Sequence, residues 1–388
     1  MDTGFLLKND MHNYNLKYIA KTSVEQYIDS EEQKSHFYEF PLGCIHIENG
    51  TVLPGKDWTE NGLLYGGICD LKLNFIDQSG FREKGSLPYS YEEDKVCYKD
   101  EEVVFIGFFQ NCYGHGITDH IKKLWFLRTA EYENLLSENN NLKIIYIVEK
   151  NAPLPSWQKE IFSLAGFDCS NWEQITEITR YKIIHIPFNS LVNDEEYRMF
   201  TPQFRSTIDL IKSKVAKRVE RPIKKVYFTR TGIDNKWREC GEERVERVFR
   251  KKGFTIIHPE RLSVAEQISL LMECDEFAST EGSCAHNSIF CKPQTKVIIL
   301  RKADYANSYQ IMINEFANLD VVYIDAHHSS KADVMQPWHG PFYMYVSPYL
   351  RKYFKLSKGL PFWSDPLYWI YKTRKWNLYF KINKIFKR

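Results

Sequence analysis

The stretch Glu276-Phe277-Ala278-Ser279-Thr280-Glu281-Gly282-Ser283-Cys284-Ala285-His286-Asn287 decides the fold. A short run of strand composition turns through small residues into a helix expected over 285–291, which is one step of a βαβ unit. Just upstream, Ser263 and Glu266 have capping-box spacing before a helix over 264–273, whose Val264, Ile268 and Leu271 share one face. Further out, strands are expected over 226–229, 255–257, 297–300 and 321–324, with helices over 241–252 and 309–317. The order predicts a doubly wound α/β domain spanning 216–330.

Nearer the N-terminus the same alternation recurs. Apolar runs at 103–107, 144–148 and 183–186 are separated by helix-length segments, and a helical stretch is expected from near Thr118. These place a Rossmann-like part at 101–215, behind a turn-rich, strand-rich lobe at 1–100. In that lobe, Leu71-Lys72-Leu73-Asn74-Phe75 reads as a strand by alternation. The expected class is α/β. Two Rossmann-like domains, 1–215 and 216–330, face a cleft, and an aromatic, basic segment follows at 331–388.

The 388 residues are 43% hydrophobic and 26% charged, enough to bury a core and too apolar for a disordered chain. The net charge of +2 conceals a split. Residues 351–388 hold eleven of the 52 basic side chains and one of the 50 acids, Asp365, which leaves the first 350 residues at −8. An acidic body of that kind repels a polyanion, so no nucleic-acid partner is expected. Nine cysteines without a CxxC pair or a paired Cys/His knuckle read as reduced thiols, with no disulfide frame and no metal site. The first residues lack a basic segment followed by an apolar run, and no stretch of 18 apolar residues occurs. Residues 334–350 are uncharged but interrupted by Pro337, Pro341 and Pro348. The expected location is cytoplasmic.

Three groups of residues are suited to chemistry. The loop 281–287 (Glu281, Gly282, Ser283, Cys284, Ala285, His286, Asn287) follows a strand, and small residues there let a phosphate approach the backbone; it also fits an ordinary tight βα turn. Arg230 ends the strand 226–229 and Arg238 follows in a polar loop, so both can grip a diphosphate or remain solvated surface arginines. His115 and Asp119, four residues apart after the strand 103–107, can form an oriented general base; Asp119 can equally cap a helix. No Asp-x-Asp occurs in the chain, which weighs against a divalent ion bridging carboxylates to a diphosphate.

Taken in order along the chain, these motifs resemble glycosyltransferase family 61. Tyr113, His115 and Asp119 match the Tyr-x-His-x-x-x-Asp pattern of its first domain. Thr229-Arg230, Arg238 with Glu242 and Glu243, Gly253-Phe254, and Ser263 with Glu266 and Gln267 match successive features of its second. The family's loop His-Gly-Ala-Gly-Leu-Thr-Asn falls on residues 281–287, where Gly282 and Asn287 are identical and Glu281, Cys284 and His286 depart. The resemblance covers roughly 45–325. It implies a GT-B-like, inverting, metal-independent enzyme that takes a sugar from a nucleotide-linked donor, with UDP as the expected nucleotide, and needs no cofactor. The transferred sugar, whether hexosyl, pentosyl or N-acetylhexosaminyl, is left open. It further implies His115 as base, oriented by Asp119, and a donor site of Arg230, Arg238, Gln267 and Glu281, Gly282, Ser283, Cys284, His286 and Asn287. The expected acceptor is a glycan, lipid-linked, in bacterial capsular or surface polysaccharide synthesis. A non-catalytic nucleotide-sugar or lipid-glycan binding component of an assembly complex is the alternative.

The last segment fits a membrane-resting reading. On a helical wheel Leu378, Tyr379, Ile382, Ile385 and Phe386 gather on one side, and Arg374, Lys381, Lys384 and Arg388 on another. With Trp369 and Trp376 as interfacial anchors, that profile suits an anionic membrane surface on the inner face of the cell membrane. Packing of the same segment on the acidic body is equally compatible.

Overall fold

Strands form where the β-branched and aromatic runs lie, as a computed structural model of the chain shows. It describes residues 15–19, 35–37, 42–82, 85–194, 198–215, 222–233, 239–302, 307–328, 342–357, 359, 364–366 and 368–369. Its contacts divide into two units, Met1–Met11 with Lys34–Ala216, and His12–Gln33 with Lys217–Arg388.

The first unit is built on a six-stranded sheet in the order Gly67–Cys69, Cys44–Leu53, Thr179–Pro187, Cys97–Phe109, Lys143–Val148, Glu173–Gln174. The last four strands pair in parallel; Cys44–Leu53 joins them antiparallel, with His46 opposite His185 and Cys44 opposite Pro187. The strand Cys97–Phe109 alternates at its start and is wholly buried over its last seven residues. That change is what a strand shows as it passes under cover on both faces. Val103, Phe105, Ile145, Ile147, Ile184 and Ile186 form the centre of this core.

The second unit holds a fully parallel six-stranded sheet in the order Asn15–Ile19, Asp320–Asp325, Lys296–Arg301, Glu276–Thr280, Lys225–Phe228, Thr255–Ile257. The helix Val264–Glu273 begins with the expected capping box, Ser263 accepting from the Glu266 N–H while the Glu266 carboxylate accepts from the Ser263 N–H. The helices Glu242–Lys251 and Ser308–Phe316 also lie where periodicity puts them. Asn15–Ile19, inside the 1–100 lobe expected to belong to the first domain, lies at the edge of this second sheet.

Two expectations change. Leu71–Phe75 is a turn and not a strand. The Asp70 carboxylate accepts from the Lys72 and Asn74 N–H groups at 2.8 Å each, Leu73 adopts φ +65°, and Leu71 and Leu73 point to solvent. Local bonding by an aspartate outcompetes the ladder that the alternation suggests. The stretch after Thr118 is also not one helix. It is broken into the 3-10 turns Asp119–Ile121 and Phe126–Arg128 ahead of the helix Ala130–Glu138, and the loop before it holds the short helix Tyr113–Gly116, because side chains there bond inward, as described below.

Among the described residues, no helix is long and apolar enough to cross a membrane. The C-terminal segment is tied to the second unit through its single acid. Asp365 pairs with Arg244 of the helix Glu242–Lys251 and accepts from the Tyr343 hydroxyl. Tyr368 packs its ring 5.0 Å from His328, and the neighbouring Trp369 is exposed. Arg374, Trp376, Lys381 and Lys384 lie outside the described residues. Replacing Asp365 with Ala is expected to lower the thermal unfolding midpoint, by about 1–3 kcal/mol of stability, since it strips partners from a buried tyrosine hydroxyl and a half-buried guanidinium. Differential scanning calorimetry measures this.

Candidate active site

In the first unit the strand Cys97–Phe109 delivers the chain, at its carboxyl end, into the segment 110–123. A glycine lets it pack closely. A Cβ on Gly116 would come within 2.2 Å of the Trp157 ring, and Tyr113 lies 5.4 Å from that ring, centre to centre. His115 is thereby held beside Asp119, Nδ1 to Oδ2 at 2.6 Å. The Asp119 side chain is 2% exposed and that of His115 23%.

A buried carboxylate needs compensation. Thr118 Oγ1 lies 3.2 Å from Asp119 Oδ2, and the buried Lys122 ammonium lies 3.7 Å from Oδ1. Lys122 also donates to the Phe81 carbonyl at 3.1 Å, and the Phe81 ring meets His115 edge to face at 4.8 Å. With the carboxylate at Nδ1, the His115 tautomer that donates from Nδ1 carries its lone pair on Nε2. The ring is thus fixed in direction and able to accept a proton at its other nitrogen.

His120, next to Asp119, does something different. It is buried, with Nε2 accepting from the Gln110 N–H at 3.0 Å and Nδ1 donating to Gln158 Oε1 at 2.7 Å. Burial pushes its pKa down from 6.5 to about 3. It is a structural post under the loop, held neutral.

In the second unit the carboxyl ends of adjacent parallel strands converge. Arg230 follows Lys225–Phe228, the loop 281–287 follows Glu276–Thr280, and Lys302 follows Lys296–Arg301. The helix Glu242–Lys251 holds the first turn. Glu242 accepts from the Tyr227 hydroxyl at 2.8 Å and from the Arg230 N–H at 3.3 Å, and Glu246 accepts from the Thr229 and Thr231 hydroxyls. The Arg230 charge acts on the Cys284 thiol, so Arg230 and the loop lie side by side. Burial raises the Cys284 thiol, with the Arg230 charge the chief opposing influence.

Gly282 has φ +114°, a conformation that favours glycine, and its Cβ position lies 3.9 Å from the Lys302 ammonium. Behind the loop Glu281 is buried and accepts from the Asn307 N–H at 2.7 Å. Burial raises its carboxyl, against the pull of Arg301, Asn307, Lys302 and His327. Arg301 itself is fully buried against Asp325. The helix expected over 285–291 is a single turn, Ser283–His286, running into the 3-10 segment Asn287–Phe290. Asn287 Nδ2 donates to the Cys284 carbonyl at 3.3 Å, and His286 is buried beside Tyr309.

The fold therefore joins His115 to Asp119 and, separately, Arg230 to Glu281, Gly282, Ser283, Cys284, His286 and Asn287. Gln267 stands apart, its amide donating to the Pro259 carbonyl at 3.0 Å under the preceding turn. Arg238 lies outside the described residues. Lys302 was missed from sequence. Its signal was position, one residue past a strand of the same parallel sheet as Arg230.

Residues 113–298 match the family model described as Glycosyltransferase 61. The protein is a glycosyltransferase. The matched span opens at Tyr113, takes in His115 and Asp119, and reaches past the 281–287 loop. No curated protein matches the chain. Among solved structures, the glycosyltransferase is similar to a dodecameric iron-containing heptosyltransferase, TibC, in complex with ADP-D-beta-D-heptose. The identity is 9%, with 68% of this chain and 76% of that chain covered and a TM-score of 0.24, too slight a likeness to bear on the site.

The buried His120 sets a pH dependence. The unfolded chain takes up its proton near pH 6.5 and the folded chain only near 3, so between those values the unfolded state binds more protons and stability falls as pH falls. The expected loss from His120 between pH ~7 and ~5 is about 2 kcal/mol. Urea unfolding at the two pH values measures it. The ring resonances of His120 are expected to stay flat over that range in NMR spectra.

Proposed function

We propose that this glycosyltransferase moves a sugar from a nucleotide diphosphate donor, UDP-linked, to a glycan acceptor with inversion at the anomeric carbon and no divalent ion on the diphosphate. The observation that carries the reading is the bond from His115 Nδ1 to the buried Asp119, inside the span that matches the glycosyltransferase model. In this mechanism the acceptor hydroxyl oxygen attacks the anomeric carbon and its proton passes to His115 Nε2. The bond from that carbon to the diphosphate oxygen breaks, and Asp119 steadies the imidazolium that forms. The leaving diphosphate gains negative charge, and a transferase without a bridging metal must meet it with cations and N–H donors. Arg230, Lys302 and the 281–287 backbone supply them, with Arg238 a further candidate.

We place the reaction in bacterial capsular or surface polysaccharide synthesis, on a lipid-linked acceptor at the inner face of the cell membrane. The basic, aromatic composition of residues 370–388 supports the membrane contact.

Replacing His115 with Ala is expected to lower kcat by about 10²–10⁴-fold while leaving nucleotide binding intact. Unchanged kcat with a cognate donor would remove His115 from the reaction. Lys302→Ala is expected to reduce kcat/KM for the donor by about 10–100-fold, the loss of one charge-assisted contact, and steady-state kinetics without added Mg²⁺ or Mn²⁺ reads both variants. Removing residues 370–388 spares the Asp365 and Tyr368 contacts and is expected to abolish partitioning onto phosphatidylserine vesicles. Unaltered sedimentation with vesicles would exclude the tail as the contact.

A further inference from the structure

The opposed histidines of the first sheet form a second cluster, outside the proposed reaction. Cys44 and His46 are two residues apart on the strand Cys44–Leu53, so they share a face. His185 lies directly across on the antiparallel strand Thr179–Pro187. One donor atom from each of the three lies within 4.8 Å of the others. The histidines point their Nδ1 atoms at each other, 2.6 Å apart, with the rings edge to face.

The outer nitrogen of His185 explains its orientation. His185 Nε2 lies 2.7 Å from Glu102 Oε1, and Asn139 holds the other Glu102 oxygen at 3.1 Å. His46 Nε2 faces Glu131 at 3.7 Å. The Glu102 carboxylate draws the His185 ring proton to Nε2 and turns its Nδ1 lone pair toward His46, which meets it across a shared proton or a shared cation. Two lone pairs facing each other at this separation repel unless a proton or a cation sits between them. The nearby Lys123 is directed to the Pro187 carbonyl.

We propose that Cys44, His46 and His185 bind a borderline-soft divalent ion, Zn²⁺, through Sγ and the two Nδ1 atoms. One thiolate and two imidazoles are a zinc donor set, and three protein ligands leave the fourth tetrahedral position to solvent on the exposed His46 side. Zinc–nitrogen bonds of about 2.0–2.1 Å at tetrahedral angles put the two nitrogens about 3.3 Å apart. The exposed His46 ring reaches that spacing by a small outward shift. The ion would clasp the antiparallel strand Cys44–Leu53 to the parallel part of the sheet. No metal site was expected from sequence, because His46 and His185 lie 139 residues apart and meet only through strand register.

The test uses the full chain, free of tag histidines, titrated with Co²⁺ and followed by absorption. One equivalent is expected, with a thiolate-to-cobalt charge-transfer band that Zn²⁺ abolishes. Cys44→Ser should lose the band. His46→Ala, at a side chain half exposed to solvent, should weaken Co²⁺ binding at least tenfold with an unchanged far-ultraviolet circular dichroism spectrum. No band in the wild-type chain would overturn the site and leave the pair sharing a proton. A band that persists in Cys44→Ser, or wild-type affinity in His46→Ala, would overturn it equally. None of these readings depends on transferase activity.

Discussion

A carboxylate removed from water imposes its needs on everything around it, and Asp119 does so here. It is met by His115, Thr118 and Lys122, and each is anchored in turn. Lys122 reaches the Phe81 carbonyl and its own carbonyl accepts from Ser190. The single Thr118 hydroxyl hydrogen is shared between Asp119 and the Gly114 carbonyl, and His120 ties the Gln110 backbone to Gln158. The loop is ordered by polar bonds that radiate from one charge, which is why it forms short broken turns instead of a helix.

The second sheet solves a different problem. All six of its strands run in parallel, so every carboxyl end faces the same way and successive βα turns fall side by side. Arg230, the 281–287 loop and Lys302 come from segments far apart in sequence, yet strand order makes them neighbours. Positive charge is collected by topology, without any single motif that spells it.

The sequence made this second sheet plain, because its strands are apolar runs and its helices carry caps and apolar faces that act locally. The pair His115 and Asp119 was also legible, since four residues on a tight turn bring side chains together. Lys302 escaped notice because nothing distinguishes it from other surface lysines until the strand before it is placed. Cys44, His46 and His185 were hidden for a stronger reason: cross-strand register is a long-range property, and a shift of one residue would have turned them to opposite faces. Leu71–Phe75 misled because alternation is evidence of a strand only when no aspartate competes for the backbone.

The attachment of Asp365 to Arg244 has a mechanical meaning. Arg244 stands between Glu242 and Glu246 on one helix, and those two glutamates hold the turn that carries Arg230. A pull on the C-terminal segment at Asp365 is therefore borne by the same turn of helix that sets the arginine's position. Wherever the end of the chain is gripped, the load path to the cationic rim is a single helical turn long.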